Sequence, residues 1–405
     1  MNITILPSLL SGTVKAPPSK SMAHRLLIAA GLARGTSEIC GIADSEDVSA
    51  TLDLLTALGA ECHKRGDVVT IKGIDPRTAL ATGVPSCREC GSTLRFFIPL
   101  CLLSDREMTL SGSERLFARP LDIYEDICRE QGLTFRRDTT SVTLKGPLKP
   151  GTFTLRGDVS SQFISGLLFA LPLLGSDSTI RLLPPVESRS YIDMTLDALA
   201  AFGVRATWLD ELTLAVPGNQ AYTARAASVE GDYSNAAFFL ALRTLGMDVT
   251  VTDLPATTRQ GDSICETYFD TLDKGTPTLT IGDCPDLGPI LMAVAAAKHG
   301  CVLTETSRLA IKESDRGAAM AEELAKFGVR VDRTADTITV HGGTLRAPTA
   351  PLSGHNDHRI VMALATLCAL VGGTIEGAEA VRKSLPDYFE RMTALGLKTL
   401  SDTNS

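Results

Sequence analysis

AAMAEELAKFGVRV, residues 318–331, runs on as DRTADTITVHGG to residue 343, and this stretch sets the plan of the chain. Met320, Leu324 and Phe327 recur at helical spacing with charged residues between them, which predicts an amphipathic helix. Gly328 follows at once. A helix commonly ends on a left-handed residue, and glycine takes that conformation without steric cost. Beyond it, VRVDRTADTITVHGG alternates close to period two on both sides of a polar turn, as a half-buried hairpin does. The stretch therefore reads as part of a β-α-β-β unit.

Working outward, the same pattern returns in LDLLTALGAEC, LDIYEDICREQGLTF, YIDMTLDALAAFGVRAT and DYFERMTALGLKTL, with a degenerate copy in CETYFDTLDKGTPTLTI. The helix-ending glycines are Gly59, Gly132, Gly203, Gly275, Gly328 and Gly396, separated by 73, 71, 72, 53 and 68 residues. Near-constant spacing signals a repeated structural unit, and a period of about 70 is too long for a solenoid repeat of roughly 20–50. Six units predict an α/β protein of two similar domains with three repeats each. Pro17-Pro18 and the stretch 221–232 are the expected crossings, giving one domain of residues 1–17 plus 229–405 and another of 18–228.

With 405 residues, 44% hydrophobic and 21% charged, the chain has the composition of a globular protein. A net charge of −8 argues against a nucleic-acid surface, which is normally basic. The ten cysteines are scattered through apolar or helical stretches, which favours reduced thiols over a disulfide framework. Cys87 and Cys90 form a CxxC with no second pair or nearby histidine, so no metal is expected there. His355 and His358, among Asn356, Asp357 and Arg359, read as an ion-pair cluster. No secretory leader is visible. The longest apolar runs, 163–174 and 360–371, fall short of a membrane span and read as buried helices. The expected location is the cytoplasm.

PPSKSMAHR, residues 17–25, places Lys20, Ser21 and Arg25 on one strand-to-helix turn, ahead of a helix expected at 26–32. Free amides at a helix start attract anions, and the two cations add formal charge, so the turn is a plausible phosphate cradle. It lacks the glycines of a Walker A loop.

In order, PPSKSMAHR, DSEDVSATLDLL, CGSTLRF, RLFARPLD, VSSQFISGLL, ESRSYIDMTLD, VEGDYSNAAFFL, CPDLGP, AIKESDRGAAM, NDHRIVMA and KSLPDYFERM closely resemble the 5-enolpyruvylshikimate-3-phosphate synthase family over nearly the whole chain. The resemblance implies an inside-out α/β barrel in each domain and an active site in the cleft between domains. It implies transfer of the enolpyruvyl group of phosphoenolpyruvate to the 5-hydroxyl of shikimate 3-phosphate, with release of phosphate. It implies these two small molecules as partners; a monomer is expected, with no cofactor, and charge, run length and ligand spacing give the expectation of no nucleic acid, no membrane and no metal.

By the same resemblance, Lys20, Ser21, Arg25, Ser160, Ser161, Gln162, Ser188, Asp286 and Lys312 hold shikimate 3-phosphate. Lys20, Gly91, Arg119, Gln162, Arg316, Arg359 and Lys383 hold phosphoenolpyruvate. Two phosphates and two carboxylates bring about six negative charges, so several cations must converge. Addition of an alcohol to a vinyl phosphate and elimination of phosphate need a base and an acid whose roles reverse. Asp286, Glu313 and Lys20 are the expected proton-transfer residues, with Asp315 and Asp357 as orienters of nearby arginines. Glu89-Cys90 stands where many members have Asn-Ala, and Arg308 where some have Asn. The alternatives are a UDP-N-acetylglucosamine enolpyruvyl transferase, which carries a cysteine that RLFARPLD lacks, and a non-catalytic relative, which would lose Asp286, Glu313 or Lys20.

Overall fold

The computed structural model describes residues 1–78 and 82–401; residues 402–405, the tail of the expected 229–405 segment, lie outside the described residues. The chain forms two compact units, Met1–Ser19 with Gly231–Ser405, and Lys20–Glu230. The crossings thus fall after Ser19 and Glu230 rather than after residues 17 and 228. The first crossing is fixed locally: Pro18 bridges Gly231, and the Asp232 amide donates to the Pro17 carbonyl at 2.8 Å.

Within Lys20–Glu230, strand Thr152–Arg156 pairs parallel with Ser178–Leu183, which pairs antiparallel with Thr213–Val216, which in turn holds Thr207–Trp208. The order of strands Thr278–Thr280, Gly300–Thr304, Thr337–His341 and Val331–Arg333 in the other unit is the same. The repeat is therefore β-α-β-α-β-β, one strand and one helix larger than the sequence pattern. The additional helix is apolar all round. Every residue of Ser161–Ala170 except Gln162 is buried, and every residue of Gly288–Ala297 except Ala297. A helix without a polar face carries no 3.6-residue alternation to detect.

Other copies borrow strands from far along the chain. Thr36–Cys40 takes Ala226–Ser228 as its parallel neighbour. Asn2–Leu6 lies between Gly373–Glu376 and Lys398–Ser401, antiparallel to both. The degenerate copy is reduced to Ser11–Lys15 paired with Asp248–Thr252, and no hairpin follows its helix Cys265–Lys274. Gly275 there has φ 170°, ordinary extended backbone, whereas the other five repeat glycines have φ between 68° and 105°. The left-handed reading of Gly275 is corrected accordingly: its helix passes directly into strand Thr278–Thr280 and needs no reversal.

No sheet among the described residues closes on itself. In each unit the apolar helices occupy the core, and the sheets pack one face against it. Gly91–Cys101 packs on Ser161–Ala170, with Phe96 and Phe169 rings 5.5 Å apart. Gly288–Ala297 packs on His358–Val371. Among the described residues no helix is long and apolar enough to cross a membrane. All ten cysteines are free and eight are buried.

Candidate active site

In Lys20–Glu230 the expected residues stand at the starts of four helices, except Arg119, which follows the helix Glu114–Ala118. The first begins at Lys20, not at residue 26, so Lys20, Ser21 and Arg25 sit on its opening turns rather than ahead of it. Nothing after Pro18 breaks the helix; proline can precede or open a helix but cannot sit inside one without cost. Arg25 is buried. Its Nε donates to Thr195 Oγ1 at 2.8 Å, its Nη1 to the Ser21 carbonyl at 2.7 Å, and its Nη2 to the Tyr191 carbonyl at 2.8 Å. Burial lowers its pKa to about 10, and the neighbouring Tyr191 opposes this; the guanidinium remains charged at neutral pH.

Ser160 caps the helix Ser161–Ala170, accepting from the Gln162 amide at 3.3 Å. The Gln162 side chain accepts from Arg95 Nη1 at 2.7 Å and donates to Ser92 Oγ at 2.9 Å, which ties this helix start to that of Gly91–Cys101. The space over Gly91 is taken by Arg119: a Cβ at residue 91 would lie 2.9 Å from its Nη1 and 3.1 Å from its Cζ. Arg119 Nε is buried with no hydrogen-bond partner among the described residues. Ser188 precedes helix Arg189–Ala201 with φ 54°, a left-handed conformation uncommon for a residue with a side chain.

Lys20 Nζ donates to Asp47 Oδ2 at 2.8 Å, and the two side chains are only 17% and 11% exposed. Behind them lies a buried polar chain. His24 Nδ1 is 2.8 Å from Thr51 Oγ1, which is 2.8 Å from Thr93 Oγ1, and His24 Nε2 is 3.8 Å from Cys90 Sγ. Burial, with the Lys20 and Arg25 charges, brings the His24 pKa down to about 3 against the pull of Asp47. The sequence spacing showed no histidine near Cys90; the fold brings one from the first helix.

The second cluster lies in the other unit and is built around Arg316, which is 1% exposed. Its Nε donates to Asp357 Oδ2 at 2.9 Å, its Nη1 to Asp286 Oδ1 at 2.7 Å and its Nη2 to Glu313 Oε2 at 2.7 Å. Asp286 stands in the short helix Pro285–Leu287 that leads into Gly288–Ala297. It also meets Arg359 Nη2 at 3.2 Å and Lys312 Nζ at 3.3 Å. Burial pushes the Asp286 carboxyl up, but Arg359, Lys312 and Arg316 together outweigh it and hold the group well below the usual range. Burial brings the Lys312 pKa down to about 8, aided by Arg308 and Arg316 and opposed by Asp286 and Glu313.

Asp357 is fully buried, caps helix His358–Val371 and accepts from Ser314 Oγ at 3.0 Å. Of the two expected orienters, Asp357 holds Arg316, while Asp315 caps helix Arg316–Lys326 and pairs with the Arg333 side chain at 3.1 Å. Lys383 Nζ donates to the Asn356 carbonyl at 2.7 Å, on a loop where His355 and Asn356 have φ 47° and 51°. Sequence reasoning missed Asp47, His24, Thr51, Thr93 and Arg95 as members of the site region. Only their place within SKSMAHR, DSEDVSAT and CGSTLRF could have pointed to them.

The chain matches the family described as EPSP synthase (3-phosphoshikimate 1-carboxyvinyltransferase) over residues 6–392. It is 38% identical to the 3-phosphoshikimate 1-carboxyvinyltransferase of Clostridium kluyveri over 97% of each chain. It is 37% identical to the enzyme of that name from Clostridium novyi, over 98% of this chain and 97% of the other. Its fold superposes on the EPSP synthase of Acinetobacter baumannii with a TM-score of 0.80 at 20% identity, covering all of both chains. Matched along almost its entire length and in fold, the chain belongs to the EPSP synthase (3-phosphoshikimate 1-carboxyvinyltransferase) family.

Proposed function

We propose that the protein transfers the enolpyruvyl group of phosphoenolpyruvate to the 5-hydroxyl of shikimate 3-phosphate and releases phosphate. Full-length membership of the family supports the reaction. The observation that carries the chemistry is Arg316 bonded at 2.7 Å to both Asp286 and Glu313, which fixes two carboxylates about one guanidinium.

Asp286 is the base that takes the 5-hydroxyl proton, and Glu313 supplies the proton to the methylene carbon. A carboxylate held by three cations is a weak base. The incoming phosphates and carboxylates draw on Lys312, Arg359 and Arg316, and losing that charge raises the proton affinity of Asp286. Lys312 holds the acceptor beside Asp286, while Arg316, Arg359 and Lys383 bind the donor. Lys20, Ser21, Arg25, Ser160, Ser161, Gln162 and Ser188 serve the acceptor. Lys20, Gly91, Arg119 and Gln162 serve the donor, with Arg119 offering its buried Nε. Lys20 also shares in proton transfer. In this reading the protein works in the cytoplasm as a single chain, without cofactor or required metal.

Turnover with shikimate 3-phosphate and phosphoenolpyruvate, followed by phosphate release, is the test. Release that needs both substrates is expected. Release with UDP-N-acetylglucosamine and none with shikimate 3-phosphate would overturn the reading. In the Lys20→Met variant, turnover should vanish while circular dichroism stays that of the parent.

A further inference from the structure

We propose that His24, Asp47 and Cys90 form a binding site for one borderline or soft divalent cation of the Zn²⁺ and Cd²⁺ class, and that its occupation detaches Lys20 from Asp47 and stops the reaction. The inhibitory half rests on the role proposed for Lys20; the binding half stands apart from it.

One ligand atom from each residue lies within 4.8 Å of the others, and all three residues are buried. A tetrahedral zinc with bonds of about 2.3 Å to sulfur and about 2.0 Å to nitrogen places those two atoms about 3.5 Å apart. His24 Nε2 and Cys90 Sγ are 3.8 Å apart, so small side-chain shifts suffice. The imidazole is set for ligation. In the tautomer whose Nδ1–H donates to Thr51 Oγ1, with the Thr51 hydroxyl free to donate to Thr93 Oγ1, the Nε2 lone pair faces the thiol. Such an outer hydrogen bond is what fixes the tautomer of a metal-binding histidine. In that tautomer a thiol proton directed at Nε2 would lie between sulfur and nitrogen, which are 3.8 Å apart. The cation takes that place, and the proton leaves to solvent as the S–M bond forms.

Charge decides what happens next. A thiolate and a carboxylate balance one divalent ion. Lys20 then loses its 2.8 Å partner and is repelled by the new neighbour. The partly exposed Lys20 and Asp47 side chains give the ion its way in. Mixed sulfur, nitrogen and oxygen ligands select Zn²⁺ and Cd²⁺ over Mg²⁺ and Ca²⁺.

Cd²⁺ titrated into the whole protein should produce an ultraviolet thiolate-to-metal band that saturates at one ion per chain. Cys90→Ala should abolish it. Thr51→Val, which removes the acceptor of His24 Nδ1–H, should weaken Cd²⁺ affinity about 10- to 100-fold. Zn²⁺ should slow turnover, a chelator should restore it, and Mg²⁺ should do neither. X-ray absorption of the Zn²⁺-loaded parent should show a single sulfur at about 2.3 Å with lighter neighbours, and needs no variant to fold. Absence of that sulfur, or a band unchanged in folded Cys90→Ala, would overturn the site. Zn²⁺ binding there with turnover unaffected would overturn the inhibitory half. The spectra do not depend on turnover, so loss of the site and loss of the proposed reaction are told apart.

Discussion

Arg316 Nη1 and Asp286 Oδ1 are 2.7 Å apart, and the same guanidinium donates to Glu313 through Nη2 at 2.7 Å. Neither carboxylate can move far without breaking a charge-assisted bond, the strong kind. Asp357, fully buried behind Arg316, keeps the guanidinium facing both.

Asp286→Asn and Glu313→Gln keep the shape of this cluster and remove its proton-transfer capacity. Each should lower kcat by about 10²–10⁴, the usual contribution of a positioned acid or base. Asp286→Asn should also weaken shikimate-3-phosphate binding, because in the proposed mechanism the carboxylate accepts from the 5-hydroxyl. Glu313→Gln should affect affinity less, since a methylene carbon offers no ground-state hydrogen bond. The measurement is kcat beside ligand Kd by calorimetry. A variant with near-parental kcat would remove that residue from the chemistry.

Gly91→Ala adds a methyl group 2.9–3.2 Å from the Arg119 guanidinium. The contact is with the end of a flexible side chain, so Arg119 shifts and the fold is retained. The KM for phosphoenolpyruvate should rise by about tenfold, or ~1.4 kcal/mol, with Tm nearly unchanged. Steady-state kinetics with each substrate varied in turn checks this. A rise confined to shikimate 3-phosphate would contradict the placement of Arg119 on the donor.

In the proposed site Lys312 meets the acceptor as an ammonium, and burial brings its pKa down to about 8. The log of kcat/KM should therefore fall as pH rises through about 8, because the deprotonated amine no longer offsets the acceptor's charge. Lys312→Arg, which stays protonated, should move that limb to higher pH. A limb at the same pH in both proteins would assign it elsewhere.

His24 titrates at about 3 when folded, below its ordinary value of 6.5. Above pH 6.5 both folded and unfolded chains hold it neutral, and its contribution is fully present. As pH falls from 6.5 towards 3, the unfolded chain binds a proton that the folded one does not, so stability is lost across that window. Urea midpoints between pH 7 and pH 4 should fall less steeply in His24→Asn than in the parent. Equal slopes would mean that other groups govern the acid sensitivity.

The amphipathic helices and their closing glycines were legible because each has one wet face, and alternation between wet and dry is what a sequence displays. Ser161–Ala170 and Gly288–Ala297 have no wet face, so neither entered the repeat pattern; the first was legible only as part of the apolar run 163–174. The strands Asn2–Leu6 and Ala226–Ser228 complete sheets whose other members lie far along the chain, and local periodicity has no access to that pairing. At the candidate site, the motifs gave Lys20, Asp286, Glu313 and Arg316 as individual residues. Their bonding did not follow from spacing: Lys20 meets Asp47 across 27 positions, and Arg316 meets Asp357 across 41. His24, Thr51, Thr93 and Cys90 form a chain only because two helix starts and the helix Glu46–Ala57 pack side by side.

Because Asn2–Leu6 sits between Gly373–Glu376 and Lys398–Ser401, the two units cannot mature in the order in which they are begun. During synthesis the Lys20–Glu230 unit is complete once its own last strand leaves the ribosome. The strand Asn2–Leu6 of the other unit must wait, unpaired, until Gly373–Glu376 and Lys398–Ser401 have emerged. That strand is short and carries Ile3 and Ile5 on the face it later buries. Translation that stalls in the second half therefore yields a finished inner unit tethered to an exposed apolar strand, the species most exposed to chaperone capture and proteolysis.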